Sequence, residues 1–263
     1  MITSTQNPRV KDLVRLRERR DRDRRGLFLV EGYRELTRAL EAGIDVHEVY
    51  VCPGLYLGSN EAALVASMAV AGADVIEMGE APFRKISYRD RPEGLVAVAA
   101  QFDTGLRRLD LTGDPLLLVI EAIEKPGNLG TMLRTADAAG CRAVIVCEAA
   151  TDPFNPNVVR ASLGTLFTVP LAVAGTAETL DALAAARIPT VATTPDAGPT
   201  LYDVDLTGPL ALVVGSEQYG LSDEWLAGST AAARIPMAGS ADSLNAAMAA
   251  GVALFEAVRQ RRL

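Results

Sequence analysis

An α/β architecture in two domains follows from three features of this 263-residue sequence. Apolar runs of strand length alternate with longer stretches that read as helices and end at glycine, the pattern of a sheet with helices packed on it. A polar stretch at 103–114, with two glycines, little periodicity and Pro115 at its end, interrupts the alternation and reads as a linker. Beyond it the alternation restarts. We therefore expect one domain over 1–102 and a second over 115–263, and a hydrophobic content of 49% is enough for two modest cores.

In the first domain, Asn7 and Pro8 supply an N-cap and a first-turn proline. Val10, Leu13, Val14 and Leu16 then form the apolar stripe of one helix that Gly26 stops. Residues 27–30 read as a short buried strand. Glu31 and Gly32 turn the chain into a helix over 33–42, closed by Gly43, and 46–51 is strand-like. Helix 61–71, strand 74–78, short helix 81–86 and strand 94–100 complete a compact α/β unit.

In the second domain, 116–120 is a continuous apolar run, as expected of a strand covered on both faces. Helix 129–139 ends at Gly140, 143–147 is a strand, 156–163 a helix, 167–170 a short strand and 177–186 a helix. Strands at 190–193 and 210–214 and a short extended piece at 234–236 precede a long terminal helix over 244–262. This order specifies a mainly parallel sheet with helices on both faces.

Several function classes are disfavoured. No apolar run approaches the roughly 20 residues that span a bilayer, and Met1-Ile-Thr-Ser-Thr-Gln lacks the order of a secretion signal, so we expect a cytoplasmic protein with no membrane partner. Cys52, Cys141 and Cys147 lack the spacing of a disulfide framework or a zinc site; they read as buried thiols, and no metal is expected. His47 is the only histidine, which removes Ser-His and Cys-His catalysis unless His47 itself serves. Neither a G-x-G-x-x-G after the first strand of either domain nor a P-loop is present, which counts against a dinucleotide-dependent oxidoreductase and a P-loop nucleotide hydrolase.

The net charge of −7 argues against coating nucleic acid by bulk attraction, but the charge is uneven. Arg9, Lys11, Arg15, Arg17, Arg19, Arg20, Arg22, Arg24 and Arg25 crowd one arm against Asp12, Glu18, Asp21 and Asp23. Guanidinium groups suit bidentate phosphate contacts. A solvated helix laced with Arg/Asp pairs accounts for the same residues equally well.

Three runs stand where an apolar strand gives way to a turn or a helix start, the places where α/β proteins present backbone to ligands. The first is Asn128-Leu-Gly130 with Arg134 one turn into the helix, an arginine that suits an anion such as phosphate. The second is Gly215-Ser216-Glu217 with Gly220: the glycine lets backbone approach a ligand, and the carboxylate is a candidate for holding Arg134 or orienting a hydroxyl. The third is Ile235-Pro236-Met237 followed by Ser243-Leu244-Asn245, in which Asp242 or Ser243 is the expected cap of the terminal helix and Asn245 presents an amide in its first turn. Leu244, Met248, Val252 and Phe255 share one face of that helix.

Together these runs resemble the SpoU (TrmH) family of RNA ribose 2′-O-methyltransferases within the SPOUT superfamily, over about residues 116–262. The stretch from Arg24 to Gly32 resembles the family's N-terminal RNA-binding domain, similar to a small ribosomal protein, and Arg160-Ala-Ser162-Leu-Gly164 resembles a segment beside the site. The resemblance implies S-adenosylmethionine as cofactor, bound in loops tied into a C-terminal trefoil knot, an exception to the rule that chains avoid threading. It implies a homodimer whose site spans the subunit interface. It assigns cofactor contacts to the main chain around Thr193, Gly215, Ile235 and Leu244, and the catalytic side to Asn128, Arg134, Glu217, Ser243 and Asn245. Arg22, Arg24, Arg25 and Arg160 are the candidate RNA contacts. The family's arginine at position 134 has been cast as the base. A free guanidinium has a pKa above about 12, so phosphate binding and alkoxide stabilisation suit Arg134 better, with Ser243, Asn245 or Glu217 relaying the proton. An N-terminal domain of this type favours large-subunit ribosomal RNA as substrate; transfer RNA, or a non-catalytic RNA-binding protein of the same fold, are the alternatives.

Overall fold

The computed structural model describes residues 1–262. They form two compact units, one made of Met1–Asp103 with Asp152–Thr168, the other of Thr104–Thr151 with the chain from Val169 onward. The first unit holds α1 (Pro8–Arg15), α2 (Arg19–Arg25), β1 (Leu27–Glu31), α3 (Tyr33–Glu41), β2 (Val46–Val51), α4 (Glu61–Val70), β3 (Asp74–Glu77), α5 (Glu80–Ile86) and β4 (Leu95–Ala100). Its sheet runs β1-β4-β2-β3, with β4 antiparallel to both neighbours and β3 parallel to β2. Val10, Leu13 and Leu16 pack with Phe83 and Ile86 over Leu29, Tyr50, Val96 and Val98 of the sheet.

The single helix expected up to Gly26 is two helices, parted at residues 16–18. Leu16 is fully buried there, and the Arg22 guanidinium donates to the Leu16 and Arg17 carbonyls at 3.0 and 2.6 Å, the acceptors that a helix end leaves open. Gly26 does stop the second helix, in the left-handed region at φ 62°.

The second unit holds β5 (Leu116–Glu121), α6 (Pro126–Ala139) and β6 (Ala143–Cys147). The chain then enters the first unit for α7 (Pro156–Ser162) and returns for β7 (Leu171–Ala174), α8 (Thr176–Ala185), β8 (Thr190–Thr193), β9 (Leu210–Val214), α9 (Asp223–Gly228), β10 (Ala231–Ala233) and α10 (Ala246–Arg261). The six strands are all parallel, in the order β10-β8-β9-β5-β6-β7. Every residue of β5, β6 and β9 is buried, which is why these strands read as unbroken apolar runs. Leu117, Val119, Ile145, Val213, Leu183 and Trp225 are at the centre of the core.

Three local expectations are corrected. The strand at 167–170 is instead a 3-10 turn at Thr165–Phe167 followed by β7, because Phe167 turns back to stack on Phe28 at 6.1 Å. The extended piece at 234–236 is β10, three residues earlier, made of alanines that carry no strand signal. The short α9 has no counterpart in the sequence reading, and α10 starts at Ala246 with Asn245, not Ser243 or Asp242, as its cap. Within the expected linker at 103–114, Leu106 is buried in the core of the second unit, and Leu109 and Leu111 pack against it.

Residues 152–168, contiguous in sequence with the second domain, pack in the first unit for identifiable reasons. Phe154 sits 5.0 Å from Phe28 and 4.9 Å from Phe102, ring centre to ring centre. Asp152 takes both Nε and Nη2 of Arg22, at 2.8 and 2.5 Å. Their side chains are 7% and 1% exposed.

Candidate active site

The strand order of the second sheet reverses between β5 and β9, and in open parallel sheets ligands bind outside the carboxyl ends of the strands at such a switch. A cavity of about 640 Å³ opens at the carboxyl ends of the neighbouring strands β9, β8 and β10. Its walls are residues 193–196 after β8, 214–221 after β9, Ile235 and Met237 after β10, and 242–244 before α10. Six expected site residues therefore line one cavity: Thr193, Gly215, Glu217, Ile235, Ser243 and Leu244.

Local chemistry shapes these walls. A Cβ on Gly215 would lie 2.3 Å from the backbone carbon and oxygen of Gly220, so the close approach that demands glycine here is made by the loop to itself. Ser216 and Gly220 close that loop with reciprocal backbone bonds of 3.0 and 3.1 Å. The Thr193 hydroxyl donates to the Val213 carbonyl at 2.8 Å, so its side chain is spent on joining β8 to β9. Arg234 donates to the Ala197 carbonyl at 2.9 Å and to that of Gly198, tying the loop after β8 to the exit of β10.

Beside the cavity, the three sequence runs meet at one carboxylate. Glu217 Oε1 accepts from the amide nitrogens of both Asn128 and Asn245, and Oε2 accepts from Lys125 Nζ. Asn245 Nδ2 also reaches Asn128 Oδ1 at 3.4 Å, while its own oxygen caps α10 by accepting from Ala247 N and Met248 N at 3.0 and 3.4 Å. The hydrogen bond from Lys125 holds the Glu217 carboxyl below the usual carboxylate range, with Asn128, the lysine charge and the Ala246 N–H adding to it against desolvation. Both α6 and α10 begin here, so two helix N-termini also favour the negative charge.

Two expectations change. The helix expected from 129 begins at Pro126, so Asn128 lies within the first turn of α6. Glu217 holds Lys125 and the two asparagines rather than Arg134. Arg134 is exposed on α6, without an assigned ion pair among the described residues.

The candidate RNA contacts divide sharply. Arg22 is not available to phosphate: it is buried and all its bonds go to Asp152 and to the Leu16 and Arg17 carbonyls. Arg24 is exposed but paired with Asp21 at 2.5 Å, and Arg15 and Arg19 pair likewise with Asp12 and Asp23. Arg25 is exposed with one long bond to the Asp12 carbonyl. Arg160 is exposed and donates to Asn157 at 3.3 Å.

Lys125 is invisible as a site residue in the sequence, because a lysine before Pro126 in a polar turn carries no signal until Glu217 is seen 92 positions away. Tyr219, exposed at the tip of the β9 loop, and Asp196 go unsignalled for the same reason.

Comparison with known proteins gives a consistent picture. The SpoU rRNA Methylase family profile matches residues 115–255, and the MRM3-like substrate binding domain profile matches residues 7–97. The chain is 36% identical over 262 residues to the 23S rRNA (uridine(2479)-2′-O)-methyltransferase of Streptomyces viridochromogenes, across 94% of this chain and 87% of that one. A crystal structure of an RNA 2′-O ribose methyltransferase superposes with a TM-score of 0.88 at 43% identity, covering 100% and 99% of the two chains. The AdoMet-bound rRNA methyltransferase from Sinorhizobium meliloti superposes with a TM-score of 0.90 at 35% identity, covering 98% and 97%.

Proposed function

Because this chain belongs to the SpoU rRNA methylase family, we propose that it transfers a methyl group from S-adenosylmethionine to a ribose 2′-hydroxyl of 23S ribosomal RNA. The observation that carries the reading is the convergence of three distant runs, Asn128, Glu217 and Asn245, in one hydrogen-bonded cluster beside the cavity.

The cavity volume falls in the range of about 300–1,000 Å³ common to cofactor sites. Its mix of strand-end backbone with Ile235, Met237 and Leu244 suits a ligand that is part nucleoside and part amino acid. Main chain around Thr193, Gly215, Ile235 and Leu244 would hold the cofactor, which supplies an electrophilic methyl group on a sulfonium centre. Glu217, ionised and saturated with donors, is a poor base and a good anchor: it fixes Asn128 and Asn245. Asn245 is fully engaged as cap and anchor. Ser243, exposed at the cavity wall, is left to take the hydroxyl proton and pass it to water. Arg134, exposed and without an ion pair among the described residues, suits the RNA phosphate and the developing alkoxide. Most of the acceleration comes from aligning the 2′-oxygen with the methyl carbon.

The reading extends to two finer features. A homodimer is supported by the outer face of α10, where Met248 and Phe255 are 60% and 50% exposed with Val252 between them, and by Leu244, 36% exposed just before the helix. A trefoil knot through the loops after β8, β9 and β10 is supported by their gathering around one cavity. With such a substrate the compartment is the cytoplasm.

The test is ribose-methylation mapping across total RNA from cells with and without the gene. Loss of one 2′-O-methyl site in 23S RNA is the expected result. An unchanged ribosomal map, or loss confined to transfer RNA, would refute the assignment.

A further inference from the structure

We propose that Lys125 is a positioning residue for methyl transfer: by ion-pairing Glu217 it keeps that carboxylate seated between Asn128 and Asn245 and so fixes which way the Asn128 amide faces. The inference rests on the methyl-transfer reading and deepens it.

The bonding pattern distributes the work unevenly. Both amides use Oε1, and Lys125 is the side chain on Oε2. The pair is not there for stability, since the lysine side chain is 69% exposed and that of Glu217 25%, and exposed pairs are worth about 0–1 kcal/mol. Pro126 at the first helical position sets the backbone on which Lys125 stands.

An ionised carboxylate only accepts, so both neighbouring amides must turn their NH2 groups toward it. A protonated carboxyl carries an O–H that donates, and it invites an amide oxygen to face it instead. Asn245 cannot comply, because its oxygen caps α10. Asn128 can, because among the described residues its oxygen accepts only the 3.4 Å contact from Asn245. Asn128 is therefore the residue whose direction depends on the charge state of Glu217. Lys125, at the start of α6, is the cation facing that carboxylate. From α10 it meets the neutral Asn245 amide and Ala246 N–H, and its own loop contributes the neutral Gln218 and Tyr219; the acids Asp223 and Asp242 line the same cavity.

The sign follows directly. Removing the cation lets the Glu217 carboxyl rise from its lowered position toward the ordinary range, so activity that needs it ionised is lost at a higher pH as the solution is acidified. Two readouts are combined for the protein and its Lys125→Gln and Lys125→Arg variants: the pH dependence of kcat with 23S RNA fragments, and a 13C titration of glutamate carboxyls with Glu217→Gln to assign the signal. In Lys125→Gln the Glu217 midpoint and the acid limb of kcat should both move up by the same amount, and Lys125→Arg should restore both. An unmoved midpoint, an equal loss at every pH, or a raised KM for RNA with an unchanged profile would each overturn the proposal, the last by making Lys125 a phosphate contact. If the parent protein transfers no methyl group, the functional reading itself has failed, and the parent's own assay separates that case from this one.

Discussion

Arg22–Asp152 in the first unit and Lys125–Glu217 at the sheet edge of the second are both ion pairs between residues far apart in the chain, at separations of 130 and 92 positions. Arg22 and Asp152 are closed off from water, with every guanidinium bond directed at a carboxylate or a helix-end carbonyl. Lys125 stands in solvent beside a cavity and shares its carboxylate with two amides. Burial decides what each pair does. A sealed pair is hard to break without stranding a charge and therefore pins a fold, whereas an exposed pair adds little stability and is free to set the direction of neighbouring groups.

Stability measurements offer the largest effect. Asp152→Ala leaves Arg22 buried without its counter-ion and should destabilise the protein by about 3–5 kcal/mol, whereas Lys125→Ala should cost no more than about 1 kcal/mol. Chemical denaturation of both variants measures the contrast, and equal losses would erase it. On the catalytic side, Arg134→Ala should lower methylation by about 10² or more with S-adenosylmethionine affinity retained in calorimetric titration, the mark of contacts made only in the transition state. Turnover close to that of the parent would remove Arg134 from the chemistry. The smallest effect belongs to the arm: Arg24→Gln with Arg25→Gln should reduce the slope of log RNA affinity against log salt by up to about two, with cofactor binding unchanged. Because Arg24 is already paired with Asp21, a smaller change at Arg24 than at Arg25 is expected, and an unaltered slope would return the arm to a plain solvated helix.

Much of the second sheet is legible in the sequence because its strands are covered on both faces, and a solid apolar run as short as 116–120 suits a buried parallel strand. The meeting of Asn128, Glu217 and Asn245 follows from the same logic, since all three runs sit at strand ends. Partners contributed by distant chain are not legible. Arg22 reads as one more basic residue until Asp152 arrives from the far side of β6, and Lys125 reads as turn filler until Glu217 is placed. Nor does composition reveal that 152–168 packs in the first unit, because what decides it is the fit of Phe154 between Phe28 and Phe102. β10 lies away from its expected position because alanines have weak strand preference, and only pairing with β8 makes them a strand.

The most direct test incubates the purified protein with methyl-labelled S-adenosylmethionine and unmodified 23S RNA, then digests the RNA to nucleosides for mass spectrometry. The account predicts label on a single 2′-O-methylated ribose, sharply reduced when Glu217 is replaced by Gln. Label on a base, or full transfer by the Glu217→Gln protein, would contradict it.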